Sequence, residues 1–260
     1  MEIPLGILFN GVDAFILIFV RMTGLFVIAP IFGRRNIPSY FKIGFAFVLS
    51  LILVNTIKTS GINYLNFFEY AFLVIKEFLV GLTIGYVAYL IFTAIYMAGQ
   101  IIDMQVGFGM VNVLDPMSNI QVPVTANFYF IISMLMFLGM NGHFLMIKGL
   151  VDSYKLVPLG AAVFGEKLMN DIINVFGSTF VLGFKISAPI VAAILITDVS
   201  LGVISRVLPQ INVFVVGMPL KILLGIFVMM ITVPVFITVM DLIIGGMNSD
   251  MMTFIKDLGP

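Results

Sequence analysis

Long apolar runs alternate with short polar pieces along the whole chain. About 20 mostly apolar residues cross a hydrocarbon core of roughly 30 Å, so runs near that length predict membrane segments. Such runs form helices because lipid offers the backbone no hydrogen-bond partners, and the alternation typical of a membrane barrel does not occur. The pattern predicts an all-α integral membrane protein with about six apolar helical segments, near 5–30, 41–57, 67–97, 123–140, 172–197 and 211–244.

Prolines lie inside these apolar runs or at their ends. Each one removes a backbone donor and clashes with the preceding turn. In a membrane such breaks survive where neighbouring helices or a water-filled cavity satisfy the freed groups. The set therefore favours several broken helices, although any single proline can simply kink a spanning helix. These prolines are Pro30, Pro189, Pro209, Pro219 and Pro234.

The composition agrees with a membrane protein. The chain has 260 residues, of which 61% are hydrophobic and 10% charged, whereas a soluble domain has about 25% charged residues. The formal net charge is zero, so nothing points to a nucleic-acid partner. The start of the chain lacks a basic stretch, so a cleaved signal peptide is not expected. We expect one membrane-embedded domain over residues 1–260.

The basic residues in the loops do not decide the orientation in the membrane. Lys and Arg are normally enriched in cytoplasmic loops. With the first loop inside, four basic residues oppose five, so either some runs do not cross fully or partner proteins fix the orientation. The inner set is Arg34, Arg35, Lys42 and Arg206, and the outer set is Lys58, Lys148, Lys155, Lys167 and Lys256.

A Gly- and Met-rich segment, 98–116, occupies the middle of the chain. No Lys or Arg lies between Lys76 and Lys148. Methionine is unbranched and polarizable, so it adapts to irregular or changing surfaces, although it also fills ordinary cores. A soft segment without basic charge between membrane helices suits a lumen lining or a gate better than an aqueous loop.

Several charged residues lie within or beside apolar runs. A Lys or Arg at the centre of a bilayer costs roughly 2.5–3.5 kcal/mol on insertion scales, so these side chains should face protein or water. Spacing within one helix does not pair them, and their partners should lie on other helices or other subunits. Snorkelling toward a helix end is the alternative for Lys185 and Lys221. The candidate interface charges are Arg21, Lys76, Glu77, Lys185, Arg206 and Lys221.

Gly81 and Gly85 form a small-x-x-x-small motif in the third apolar run. Such a motif allows two helix backbones to approach closely in lipid. The sequence leaves open whether that contact lies within the chain or between subunits.

Support for an enzyme is weak. His143 is the single histidine, and no metal-ligand spacing surrounds it. The run Gly107-Phe-Gly-Met-Val-Asn112 lacks the third glycine of a dinucleotide fingerprint, and no phosphate-binding loop occurs. We therefore expect no catalytic residue, no cofactor and no metal.

Short runs of residues, in a fixed order over nearly the full length, carry a family resemblance. They include Arg21-Met-Thr-Gly24, Ala29-Pro-Ile-Phe-Gly33, Lys76-Glu-Phe-Leu-Val-Gly81, Ala98-Gly-Gln-Ile-Ile-Asp103, Asp115-Pro116, Asn141-Gly-His143, Arg206-Val-Leu-Pro-Gln210 and Pro219-Leu-Lys221. The chain resembles the FliR family of membrane proteins from the flagellar type III export gate.

The resemblance implies one copy assembling with FliP-like and FliQ-like subunits into a closed gate for unfolded polypeptides. It also implies helical hairpins, FlhB-like and FlhA-like neighbours, and a place in the bacterial inner membrane within the flagellar basal body. Segment 106–122 matches the position of the family's pore plug. The plug residues implied are Val106, Gly107, Phe108, Gly109, Met110, Val111, Asn112, Asp115 and Pro116.

Two alternatives stay open from the sequence. One is the paralogous export-gate subunit of a virulence-type secretion system (an injectisome), which shares this architecture. The other is a small-solute secondary transporter, suggested by broken helices and intramembrane charges, although matching interrupted helices in two halves of the chain are not found.

Overall fold

The computed structural model describes residues 5–34, 36–57, 64–108, 123–210 and 212–259. Seven helices and no strand occur in these ranges, and the predicted all-α membrane fold is confirmed. Four helices are long and apolar enough to cross a membrane, or five if α4 and α5 form one bent span. The helices are α1 Leu5–Ile28, α2 Ser39–Val54, α3 Phe67–Val106, α4 Val124–Gly139, α5 Gly142–Leu156, α6 Glu166–Val207 and α7 Val213–Asp257.

The helices run further than the hydropathy pattern predicts. Helix α3 continues past position 97 to Val106, and α7 continues past 244 to Asp257. Isolated polar residues do not end a helix whose apolar face continues at helical spacing. At the end of α7 the buried Met247, Met251 and Phe254 continue that face.

Helix α5 lies between the predicted apolar segments 123–140 and 172–197, where no helix was predicted. Its buried residues, Met146, Leu150, Ser153 and Tyr154, recur every three or four positions, so one face is apolar although the segment as a whole is not. Asn141 precedes the helix in the left-handed conformation, with a φ of 58°.

Prolines do not end the two long C-terminal helices. Pro189 lies inside α6, and Pro219 and Pro234 lie inside α7. Pro30 and Pro209 follow the ends of α1 and α6. The expected helix break does not occur at Pro189, Pro219 or Pro234, where the structure matches the alternative of a proline within a continuous helix.

The chain forms two compact units, and the expected single domain over 1–260 stays a prediction. The first unit comprises Met1–Leu90, Asn141–Phe176 and Ile244–Pro260. Within it α1 packs on α2, where the rings of Phe26, Phe32 and Phe45 lie within 6 Å of one another.

Glycines bring α1 and α3 into backbone contact in this unit. A Cβ on Gly81 would overlap the carbonyl oxygen of Arg21, and one on Gly24 would overlap that of Phe78. A Cβ on Gly85 would overlap the side chain of Ile28. The close approach that the motif Gly81–Gly85 predicts is thus made with α1 of the same chain.

The second unit comprises Ile91–Met140 and Gly177–Ile243. Gly99 on α3 lies directly against Ala126 on α4, and Gly183 on α6 lies against the carbonyl of Ala94. The rings of Tyr129 on α4 and Phe236 on α7 are 4.7 Å apart. This unit therefore holds the end of α3 and the start of α4, which flank segment 107–122.

We predict that Gly81→Ala destabilises the protein by about 1–3 kcal/mol, the usual cost of overpacking. The added methyl group meets backbone, which cannot rotate aside as a side chain can. The midpoint of unfolding of the purified protein in mixed micelles measures the effect.

Gly44→Ala on α2 is the matched control, since a Cβ there meets nothing within 4 Å. Alanine favours a helix over glycine by roughly 0.5–1 kcal/mol, so this control should be neutral or stabilising. Equal midpoints for the two variants would contradict the close contact of α1 with α3.

Candidate functional site

A fully buried ion pair joins α1 to α3 in the first unit. The side chains of Arg21 and Glu77 are both 0% exposed, and Arg21 Nε donates to Glu77 Oε2 at 2.5 Å. Neither charge has access to water, so each depends on the other for its neutralisation. For Arg21 and Glu77, the expected partner thus lies on another helix of the same chain.

A second nitrogen of the Arg21 guanidinium, Nη1, contacts α5 and the turn after it, while Nη2 has no hydrogen-bond partner in the described part of the chain. Arg21 Nη1 donates to Ser153 Oγ and to the carbonyl oxygen of Val157, both at 3.1 Å. The guanidinium carbon lies 4.3 Å from the centre of the Tyr154 ring, and Tyr154 Oη donates to the carbonyl oxygen of Ile18 at 3.2 Å. One cation therefore ties α1 to α3 and α5 at once.

The second carboxylate oxygen of Glu77 is also occupied. The backbone N–H of Gly160 donates to Glu77 Oε1 at 2.8 Å. Gly160 has a φ of 77°, a conformation that glycine adopts without strain. The turn after α5 is thus fixed to α3 by a charge-assisted hydrogen bond.

A groove of about 340 Å³ lies in the second unit beside the end of α3. Lys221 on α7 forms an ion pair with Asp198 on α6 at this groove. The other residues that line it are mostly apolar or small: Met104, Gln105, Val106, Gly107, Leu201, Gly202, Val213, Phe214, Gly217 and Met218.

The groove meets the start of the predicted plug segment. Val106 is fully buried, and its side chain fills the space that Gly225 leaves open, 2.7 Å from where a Cβ would be. Gly107 follows with a φ of 98°, which turns the chain out of α3. The remaining predicted plug residues, from Gly109 to Pro116, lie outside the described residues, and Phe108 is the last described residue before them.

The other predicted charges occupy different environments. Lys76 is half-buried, with Nζ 5.2 Å from the centre of the Phe72 ring. Lys185 and Arg206 are exposed on α6, Arg206 in its last turn. Lys221 has the partner described above, so the structure brings together Arg21 with Glu77 and Lys221 with Asp198. A role for any of these residues between subunits stays a prediction.

Several residues of these networks were not found by sequence reasoning. Ser153, Tyr154 and Gly160 lie far along the chain from Arg21, and no local spacing indicates the contact. Asp103, which binds the start of α4, could have been found from the sequence, because a carboxylate in an apolar run indicates a polar partner elsewhere. In the described part of the chain, no three His, Cys, Asp or Glu side chains are grouped to hold a metal ion.

Comparison with known proteins gives a consistent family. Residues 12–247 match the family described as bacterial export proteins, family 1. The flagellar biosynthetic protein FliR of Bacillus subtilis is 40% identical over 221 residues, 84% of this chain and 85% of the relative. The proteins of the same name from Pectobacterium carotovorum and Escherichia coli are 32% and 28% identical, over 86% and 83% of this chain and 86% and 82% of their own lengths.

We predict that Arg21→Met and Glu77→Leu each destabilise the protein by about 3–5 kcal/mol, because each leaves an unpaired buried charge. The double variant should lose less than the sum of the two, since neither charge is then left behind. Unfolding midpoints in mixed micelles for the four proteins give the coupling energy. Additive losses would show that the pair is not coupled.

Proposed function

The chain belongs to family 1 of the bacterial export proteins, and from that membership we propose that it is a subunit of the flagellar type III protein export gate. The observation that carries this proposal is the match over most of the chain to proteins named for flagellar biosynthesis. Those names favour the flagellar apparatus over the virulence-type alternative. The protein acts in the bacterial inner membrane, as part of the flagellar basal body.

The exposed surface of α6 and α7 supports assembly with other subunits. In α7 only 11% of the most apolar 18-residue window is buried, and in α6 only 28%. Lys185 lies on the exposed side of α6, near Val181 and Phe184, which are also exposed. A lysine facing lipid costs roughly 2.5–3.5 kcal/mol at mid-bilayer, and a polar partner helix removes that cost.

We assign those partners to FliP-like and FliQ-like subunits, with one copy of this chain in each complex. FlhB-like and FlhA-like components lie next to the complex in the same apparatus. The cargo is an unfolded polypeptide, which enters a channel that this chain helps to line.

Segment 106–122 plugs that channel at rest. It starts where α3 ends at Val106 and finishes just before α4. Its sequence contains no Lys or Arg, and Asp115 is its only charge. Apolar constrictions exclude water and ions, while a surface without fixed charge gives a passing polypeptide little to bind.

We predict that deleting 107–112 leaves complex assembly intact and makes the membrane leak ions. The apolar barrier is lost, whereas the ion-paired helices are unchanged. Ion permeability of cells that produce the complex is the measurement. Lys155→Ala, at the surface of α5 (75% exposed), is the control and should stay sealed. Unchanged permeability after the deletion would contradict the proposed role of segment 106–122 as a plug.

We also predict that Glu77→Ala lowers the amount of complex that co-purifies with FliP-like subunits. Loss of this carboxylate leaves Arg21 unpaired and frees the turn at Gly160, so the surface offered to the partners is no longer fixed.

Glu69→Ala is the control, because Glu69 lies on the same helix and is exposed to solvent. Tagged FliP-like subunits are used to capture the complex, and the captured chain is quantified. A normal yield from Glu77→Ala would argue against an assembly role for the buried pair.

A further inference from the structure

Asp103 makes a contact that is separate from the Arg21–Glu77 ion pair and from the groove. It lies near the end of α3 and is 5% exposed. One carboxylate oxygen accepts the backbone N–H of Thr125 at 2.9 Å, and the other accepts that of Ala126 at 3.2 Å. Both N–H groups belong to the first turn of α4. A side chain of one helix thus caps the start of the next.

The start of α4 has no cap of its own. The residue before it is Pro123, and no side-chain hydrogen bond is made at that N-cap position. The first N–H groups of a helix lack partners within the helix. A carboxylate suits them both as a hydrogen-bond acceptor and as a charge at the positive end of the helix dipole. Because the site is buried, leaving these groups unpaired is costly.

This contact joins two parts of the chain that lie on either side of segment 106–122. Asp103 precedes segment 106–122, and Thr125 and Ala126 follow it, so the contact joins the two flanks. Gly99, one turn before Asp103, has no Cβ, and a Cβ there would overlap Ala126. Backbone contact at Gly99 and hydrogen bonds at Asp103 therefore hold the flanks together.

We infer that Asp103 is a positioning residue of the gate: by capping α4 it fixes the base of the plug segment and keeps the channel sealed. This inference rests on the proposed function, because it assigns a role to Asp103 through the plug. Asp103 itself contacts no cargo. Its effect on sealing passes through the two N–H groups at the start of α4.

Two substitutions separate the charge from the hydrogen bonds. Asp103→Ala removes both acceptors. Asp103→Asn keeps one acceptor and turns an N–H donor toward the second N–H group. The ion leak per assembled complex should therefore rise in the order wild type, Asn, Ala. Loss of a helix cap shifts a local equilibrium on the order of 5- to 30-fold, and we expect a leak increase of that order for Asp103→Ala.

Asp152→Ala is the matched control. Asp152 pairs with Lys155 at the surface of α5, so the variant removes a carboxylate without touching the flanks of the plug. We expect its complex to be as tight as wild type. The leak is measured on the complete complex, reconstituted with its partner subunits in vesicles.

Cysteine labelling tests whether the opening is local. The chain contains no cysteine, so single cysteines report their own positions. Thr125 and Ser133 are both buried on α4, at 1% and 0% exposure. In the Asp103→Ala background, Thr125→Cys should react with N-ethylmaleimide faster than in wild type, while Ser133→Cys stays protected.

The possible outcomes distinguish the role of Asp103 from the role of segment 106–122 as a plug. A leak with faster labelling at position 125 alone supports the inference. A tight Asp103→Ala complex, in a system where deletion of 107–112 leaks, overturns the role of Asp103 and leaves the plug in place. Faster labelling at both positions shows a general loss of packing and also overturns it. If the deletion itself does not leak, the proposed plug fails, and the sealing role of Asp103 fails with it even where labelling shows the cap.

Discussion

The buried pair of Arg21 and Glu77 is the interaction on which the packing of the first unit depends. A guanidinium fully removed from water needs a counter-charge and hydrogen-bond acceptors, and it finds them on α3, on α5 and at Val157. The small residues Gly24 and Gly81 bring the backbones together at this level. The glycines therefore allow α1 and α3 to approach closely, and the ion pair fixes which residues of the two helices lie opposite each other.

The same physical rule recurs in the second unit, where a carboxylate in an apolar helix is bound by a group on another helix. Asp103 accepts two N–H groups of α4, and Asp198 pairs with Lys221 of α7. Helices in lipid gain little from hydrophobic contact with one another, so polar contacts and close backbone packing hold them in register. In this protein such contacts lie on both flanks of the segment proposed as the plug, while much of the apolar surface of α6 and α7 is exposed and is open to lipid and to the proposed partner subunits.

The sequence predicted the helical membrane fold and the presence of interhelical charge pairs, because both follow from the cost of polar groups in lipid. It did not predict which charges pair, since Arg21 and Glu77 are separated by 56 positions and no local pattern encodes their contact. Hydropathy missed α5, where one apolar face is hidden among polar residues. It also ended α3 too early, at position 97, because Gln100 and Asp103 interrupt the apolar run although the buried face continues at Ile102 and Val106.

The central claim is that segment 106–122 lies in the path of an exported polypeptide, and a photo-cross-linking amino acid at Asn112 tests it most directly. With an export substrate arrested in transit, the account predicts an adduct between position 112 and that substrate. The same probe at Lys155, an exposed residue of α5, should give none. Adducts at position 112 with soluble cytoplasmic proteins, and none with the arrested substrate, would contradict the account.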